Sequence, residues 1–199
     1  MISVAQSLLR RLGERYKTPA QVQKLLRTIP YNRELGGETL RSAYQTWKHK
    51  RAHCLEAAFL AAAILEQHGY PPLVMSLESI DDLDHVMYIF QSNGRWGAIA
   101  RSREEGLHGR LPVFKTVREL AWSYVDPYVD LTGRVTGFGI ASLDDTGAPW
   151  RYSNRNVWRA EQYLIDLKHQ QLKHSEKRYE RALENYRRRG NHPTQDSWW

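Results

Sequence analysis

One cysteine, four phenylalanines and no long apolar run mark this chain of 199 residues. A single cysteine excludes an intramolecular disulfide, so nothing points to an oxidising compartment. No stretch approaches the roughly 20 apolar residues of a membrane span. Arg10, Arg11 and Arg15 interrupt the leucines of the N-terminal segment, which has neither the apolar core nor the small-residue cleavage site of a secretory leader. The expected compartment is the cytoplasm, with no membrane partner. Gly133, Gly137 and Gly139 lack the strand–turn–helix setting of a phosphate-binding loop. His49 and His53 stand four apart, as two ligands on one helical face would, with Cys54 adjacent, but nothing completes a zinc site. Asp81, Asp82 and Asp84 read as a solvated acidic loop. No metal and no cofactor is expected.

The apolar fraction of 41% is enough for one well-packed domain, and 26% of residues are charged. The net charge of +7 is unevenly spread. Residues 1–53 carry +8, residues 54–150 carry −6 and residues 151–199 carry +5. Basic flanks around an acidic middle can recruit acidic partners or attract the middle itself.

Residues 2–15 and 19–28 read as amphipathic helices, the second capped by Thr18 with Pro19 at its first position. Tyr31-Asn32 and Gly36-Gly37 mark a loop, and residues 39–48 are again helix-like. Tyr44 and Trp47 fit core packing there, or the wall of a groove. From Leu55 to Gln67 the chain is apolar almost all round, which predicts a helix buried on every side. Gly69 and Pro71-Pro72 end it. Residues 73–77, 85–91 and 96–100 read as strands, the last two joined by Asn93-Gly94, a strong hairpin signal. Residues 103–111 read as loop, 117–124 as a short helix and 132–146 as glycine-rich and irregular. Residues 154–189 read as one long helix whose second half projects into solvent, followed by a disordered tail over 190–199.

Cys54 opens the buried helix, where the helix dipole favours thiolate over thiol. His85 opens the strand that comes after, and a histidine so placed can complete a nucleophilic pair. Taken alone, Cys54 is a small buried hydrophobe on an Ala-rich helix and His85 a hydrogen-bonded strand residue. Taken together they are a candidate nucleophile and base.

A Cys-headed buried helix, a strand, a His-bearing strand, an Asn-Gly hairpin and a Trp-bearing strand follow in order. This order resembles the transglutaminase-like superfamily within the papain-like cysteine enzymes. Its carriers are His53-Cys54-Leu55-Glu56-Ala57-Ala58, Gly69-Tyr70, His85 and Gly94-Arg95-Trp96, over about residues 50–102. The run from Tyr31 to Tyr128, with Trp96-Gly97-Ala98-Ile99-Ala100-Arg101-Ser102, also resembles an uncharacterised bacterial family of transglutaminase-like proteins. The resemblance implies that Cys54 attacks an amide carbonyl, that His85 moves the proton and that an acid orients His85. Counted along the hairpin, the acid falls at Ala100. Ser102, on the same strand face, is the nearest polar substitute, with Asp126 and Asp130 as alternatives.

The expected architecture is α+β and transglutaminase-like: a domain over 1–153, with N-terminal helices and the Cys-bearing helix on a small antiparallel sheet, then the long basic helix over 154–189. The expected function is thiol-dependent amide hydrolysis or acyl transfer (a protease, amidase or transglutaminase) through Cys54 and His85 with Ser102, on a protein or peptide-like amide. The alternative is a non-catalytic module of the same fold that binds a protein or nucleic-acid partner through its basic flanks. On the last helix, Lys173, Lys177, Arg178, Arg181 and Arg187–Arg189 alternate with Tyr179 and Tyr186. The interspersed Glu176, Glu180 and Glu184 favour a solvated face or a protein-docking arm over nucleic acid.

Overall fold

The structure is a computed structural model in which residues 2–81 and 85–188 are described. Asp82 and Asp84 of the acidic loop, and the segment from 189 onward, lie outside the described residues. The fold is α+β, with seven α-helices and a six-stranded antiparallel sheet among the described residues.

Local signals set the N-terminal half. Helix α1 (Val4–Arg15) starts at Ser3, whose hydroxyl accepts from the Gln6 N–H in a capping box. Helix α2 (Pro19–Thr28) starts in the same way at Thr18, with Pro19 leading. Helix α3 (Ala43–His49) begins four residues later than the sequence pattern predicts, because Ser42 caps it; residues 39–41 lie outside any regular element. Helix α4 (Cys54–Leu65) is buried from Leu55 to Leu65 without a break. A 3-10 turn (Glu66–His68) and Gly69, at φ +81°, end it.

Strands β1 (Leu73–Ser79), β2 (His85–Ser92) and β3 (Arg95–Ile99) form a meander. Asn93 and Gly94 both take positive φ, as a tight hairpin turn requires. Three later regions differ from expectation. Strand β4 (Arg110–Phe114) begins inside the predicted loop over 103–111; it is the sheet edge beside β3, and only alternate side chains are half-buried. Helix α5 (Val117–Val125) follows, capped by Thr116. Strand β5 (Val135–Ser142) lies in the segment predicted to be irregular and pairs along the full length of β1.

The predicted long helix over 154–189 is broken. Helix α6 (Trp158–Ile165) stops at Asp166, the chain pairs with β5 as the short strand β6 (Gln170–Gln171), and helix α7 (Glu176–Arg188) starts afresh. The reason is tertiary. Leu172 is 2% exposed, packs with the core that holds Met75 and Leu77, and its N–H bonds the Thr136 carbonyl at 2.8 Å. A continuous helix would forfeit both.

Sheet order is β4-β3-β2-β1-β5-β6, and both faces are covered. Alternation along β1 and β2 sends Val74, Val86, Tyr88 and Phe90 toward α1–α4. Met75, Leu77, Met87 and Ile89 go toward α5. Helix α4 is therefore clamped between the sheet and the other N-terminal helices, and its first residue is Cys54. No helix among the described residues is long and apolar enough to cross a membrane.

Candidate active site

The first turn of α4 is built around a carboxylate with no exposure to solvent. Glu56 accepts hydrogen bonds from the backbone N–H of Arg41 (2.9 Å) and of His53 (3.1 Å). It also accepts from the Thr39 hydroxyl (3.0 Å) and the Asn32 amide (3.2 Å), and Arg41 Nη1 stands 3.5 Å away. A buried charge is tolerable only when so fully bonded. These bonds fasten residues 32–41 over the start of α4 and fix His53 as its N-cap. Just upstream, Tyr31 bridges to Ala52, with the Asn32 N–H on the Ala52 carbonyl at 2.9 Å.

Cys54 is partly exposed, and its side chain hydrogen-bonds two imidazoles, those of His53 and His85. Burial pushes the thiol up, but the hydrogen bonds and charges of the two histidines outweigh it and hold the thiol well below its ordinary value. The helix N-terminus acts in the same direction. Burial also pulls the His53 imidazole down, while the Cys54 hydrogen bond and charge, with Glu56 and Glu34, raise it to about 9. The Tyr31 phenol is pushed up by burial and by the Cys54 charge, so it stays protonated beside the sulfur.

His85, 4% exposed, places Nε2 3.0 Å from the Leu107 carbonyl. A carbonyl only accepts, so Nε2 carries a hydrogen and Nδ1 faces Cys54. Both ring nitrogens are then engaged, which leaves none for Ser102. That residue lines the same cavity, but its hydroxyl accepts from the Glu104 N–H at 3.2 Å and shapes a turn. The His85 ring is thus hydrogen-bonded to the backbone of Leu107. Ala100 is buried among the apolar residues under α5, with Gln23 clamped across its N–H and carbonyl. Asp126 is bound by Arg178 at 2.7 and 3.1 Å, and Asp130 accepts the N–H groups of Thr132 and Gly133.

Cys54 and His85 open onto a cavity of about 1260 Å³. Leu55 and Val86 lie beside them, Glu161 and Leu164 of α6 form part of a wall, and Arg181, Ala182 and Asn185 of α7 line the far side. The basic helix thus lies against its own domain instead of projecting. Arg178 pairs with Asp126 and sits 5.1 Å from the Trp122 ring centre. Arg134 grips Glu176 at 2.8 and 2.9 Å and stacks 4.6 Å from the Tyr179 ring centre.

No family model matches the chain, and no curated protein matches it. The site stands on its geometry. The structure brings together Cys54 and His85, and adds His53, Glu56 and the Leu107 carbonyl. Glu56 has a readable signal, since it stands three residues after the helix cap, where a capping-box acid belongs. Leu107 has none, because the group it offers is common to every residue.

Proposed function

We propose that the chain is a thiol-dependent enzyme of transglutaminase-like, papain-like type, which hydrolyses or transfers the acyl group of an amide through Cys54 and His85. The observation that carries this reading is the hydrogen bond between the Cys54 sulfur and an imidazole whose far nitrogen is fixed to Leu107. Cys54 passes its proton to His85, and the thiolate so formed attacks the carbonyl carbon, forming the C–S bond and sending the π electrons to oxygen. Backbone N–H groups in the first turn of α4 stabilise that oxygen. Collapse of the intermediate breaks the C–N bond, and His85 protonates the leaving amine. His85 then takes a proton from water, or from an acceptor amine, as it attacks the thioester and frees the thiolate. A cavity of about 1260 Å³ suits a segment of protein or peptide as the amide donor. A mechanism that needs a free thiol fits a reducing cytoplasm.

p-Nitrophenyl acetate tests the reading. Expected is a burst of p-nitrophenol with an acetyl adduct on Cys54 by mass spectrometry, and an adduct that persists in His85→Ala because deacylation has lost its base. Ala100 in place of an acid favours a second reading, a non-catalytic module that binds a protein or nucleic-acid partner through its basic flanks. No adduct on Cys54, or one that clears equally fast in His85→Ala, decides for that alternative.

A further inference from the structure

Accepting Cys54 as the nucleophile, we propose that His53, not His85, is the standing counter-charge of its thiolate: the His53 imidazolium keeps both protons through the reaction, and His85 alone moves protons. The argument begins with hydrogen-bond accounting. His53 Nε2 lies 3.0 Å from the Thr39 carbonyl, which can only accept. Its other nitrogen is left for the Cys54 sulfur, to which the ring is hydrogen-bonded. A thiolate also only accepts, so His53 must donate from both nitrogens, and only the imidazolium has two N–H groups.

The same accounting applies to His85 whenever it is charged, so the surroundings decide which ring holds its charge. Behind His53 stands Glu56, with Oε1 3.8 Å from Nε2 and the carboxylate itself immobilised by four hydrogen bonds. Glu34 faces the ring from the loop and Glu161 from α6. The cation Arg41, beside this group, is paired with Glu56. Behind His85 there is a neutral carbonyl, with the Tyr124 ring 6.2 Å away and the weakly basic His108 as its charged-group neighbour. A fixed carboxylate stabilises imidazolium more than a carbonyl does. The acid missing behind the strand histidine is thus found behind the other one, across the sulfur.

The position of His53 suits a fixed charge and not a shuttle. It is bonded to its neighbour Cys54 in sequence, it caps α4, and its own N–H is held by Glu56. His85 comes from a different element and approaches the sulfur from the sheet.

The unaltered chain supplies the test. The imidazole resonances of His53 are titrated by NMR before and after Cys54 is capped with methyl methanethiosulfonate, which removes the sulfur's charge and leaves the sequence intact. Capping is expected to lower the His53 pKa by about one unit or more. In parallel, His53→Gln is expected to cut iodoacetamide labelling of Cys54 near pH 6 about tenfold or more, with recovery as the pH rises above the free-thiol value. A His53 that titrates as a free imidazole and ignores capping, in a chain whose Cys54 still labels readily in acid, overturns the proposal and places the charge on His85. A wild-type Cys54 that labels only at the pH of a free thiol sinks the nucleophile reading itself, so the two failures are distinct.

Discussion

Helices α4 and α7 flank the same cavity and are held by opposite means. In α4, eleven consecutive residues are buried, and the Cys54 end is locked by the bonds that converge on Glu56. In α7 no residue is buried; arginine–carboxylate pairs and two cation–π contacts hold it in place. Apolar burial and a fully bonded buried charge give α4 a single position. Exposed ion pairs contribute little each and weaken with salt, so α7 is free to leave at low cost. Cys54 thus sits on the tightly held wall of the cavity, and α7 forms a loosely held one.

Substitutions should separate the two walls by size of effect. Phe59→Ala removes a fully buried ring 6.2 Å from that of Trp150 and should cost about 3–5 kcal/mol in urea unfolding. Glu56→Ala strands the Asn32 amide, the Thr39 hydroxyl and two backbone N–H groups. It should cost about 3 kcal/mol and free the 32–41 segment, seen as faster amide exchange there. Gly97→Ala should cost about 1–3 kcal/mol, because a Cβ there would stand 2.9 Å from the Arg110 carbonyl and the Pro112 nitrogen, backbone atoms of β4 that have little room to yield. Arg178→Ala should cost under about 1 kcal/mol yet speed the labelling of Cys54 by a bulky maleimide, and added salt should do the same to the wild type. If Arg178→Ala proves as damaging as Phe59→Ala, or labelling ignores both changes, the contrast between the walls is wrong.

The labelling also has a direction in pH. The thiol is held well below its ordinary value, so reaction should persist into acid and fade only as the pH drops through that depressed value. Removing His53 or His85 moves the fade upward, and the larger move identifies the ring that holds the charge.

The same contrast explains what could be read in the sequence. Helix α4, the Thr18-Pro19 start of α2 and the Asn93-Gly94 hairpin are specified by neighbours in the chain, so local pattern was enough. Strand β5 was hidden because its glycines, which lower strand propensity, lie where Leu167 and His169 from the next segment press on the backbone. The break between α6 and α7 was hidden because helical periodicity runs through it, and only the burial of Leu172 under the sheet overrides that pattern. Cys54 and His85 could be paired from the order of elements. Ser102 was a reasonable choice by strand alternation, but that logic considers side chains only, and the acceptor is main chain.

The Leu107 carbonyl gives this site an unusual kind of durability. An aspartate behind a catalytic imidazole can be protonated by acid or lost in a single codon change. A peptide oxygen has no titration near neutrality and survives replacement of its own side chain. It can be withdrawn only by displacing the turn that carries it, Glu105–Leu107, which Arg110 staples through the Gly106 carbonyl at 2.7 Å. The vulnerable point behind His85 is therefore the shape of that loop, and a scan of side chains for a missing acid would pass over it.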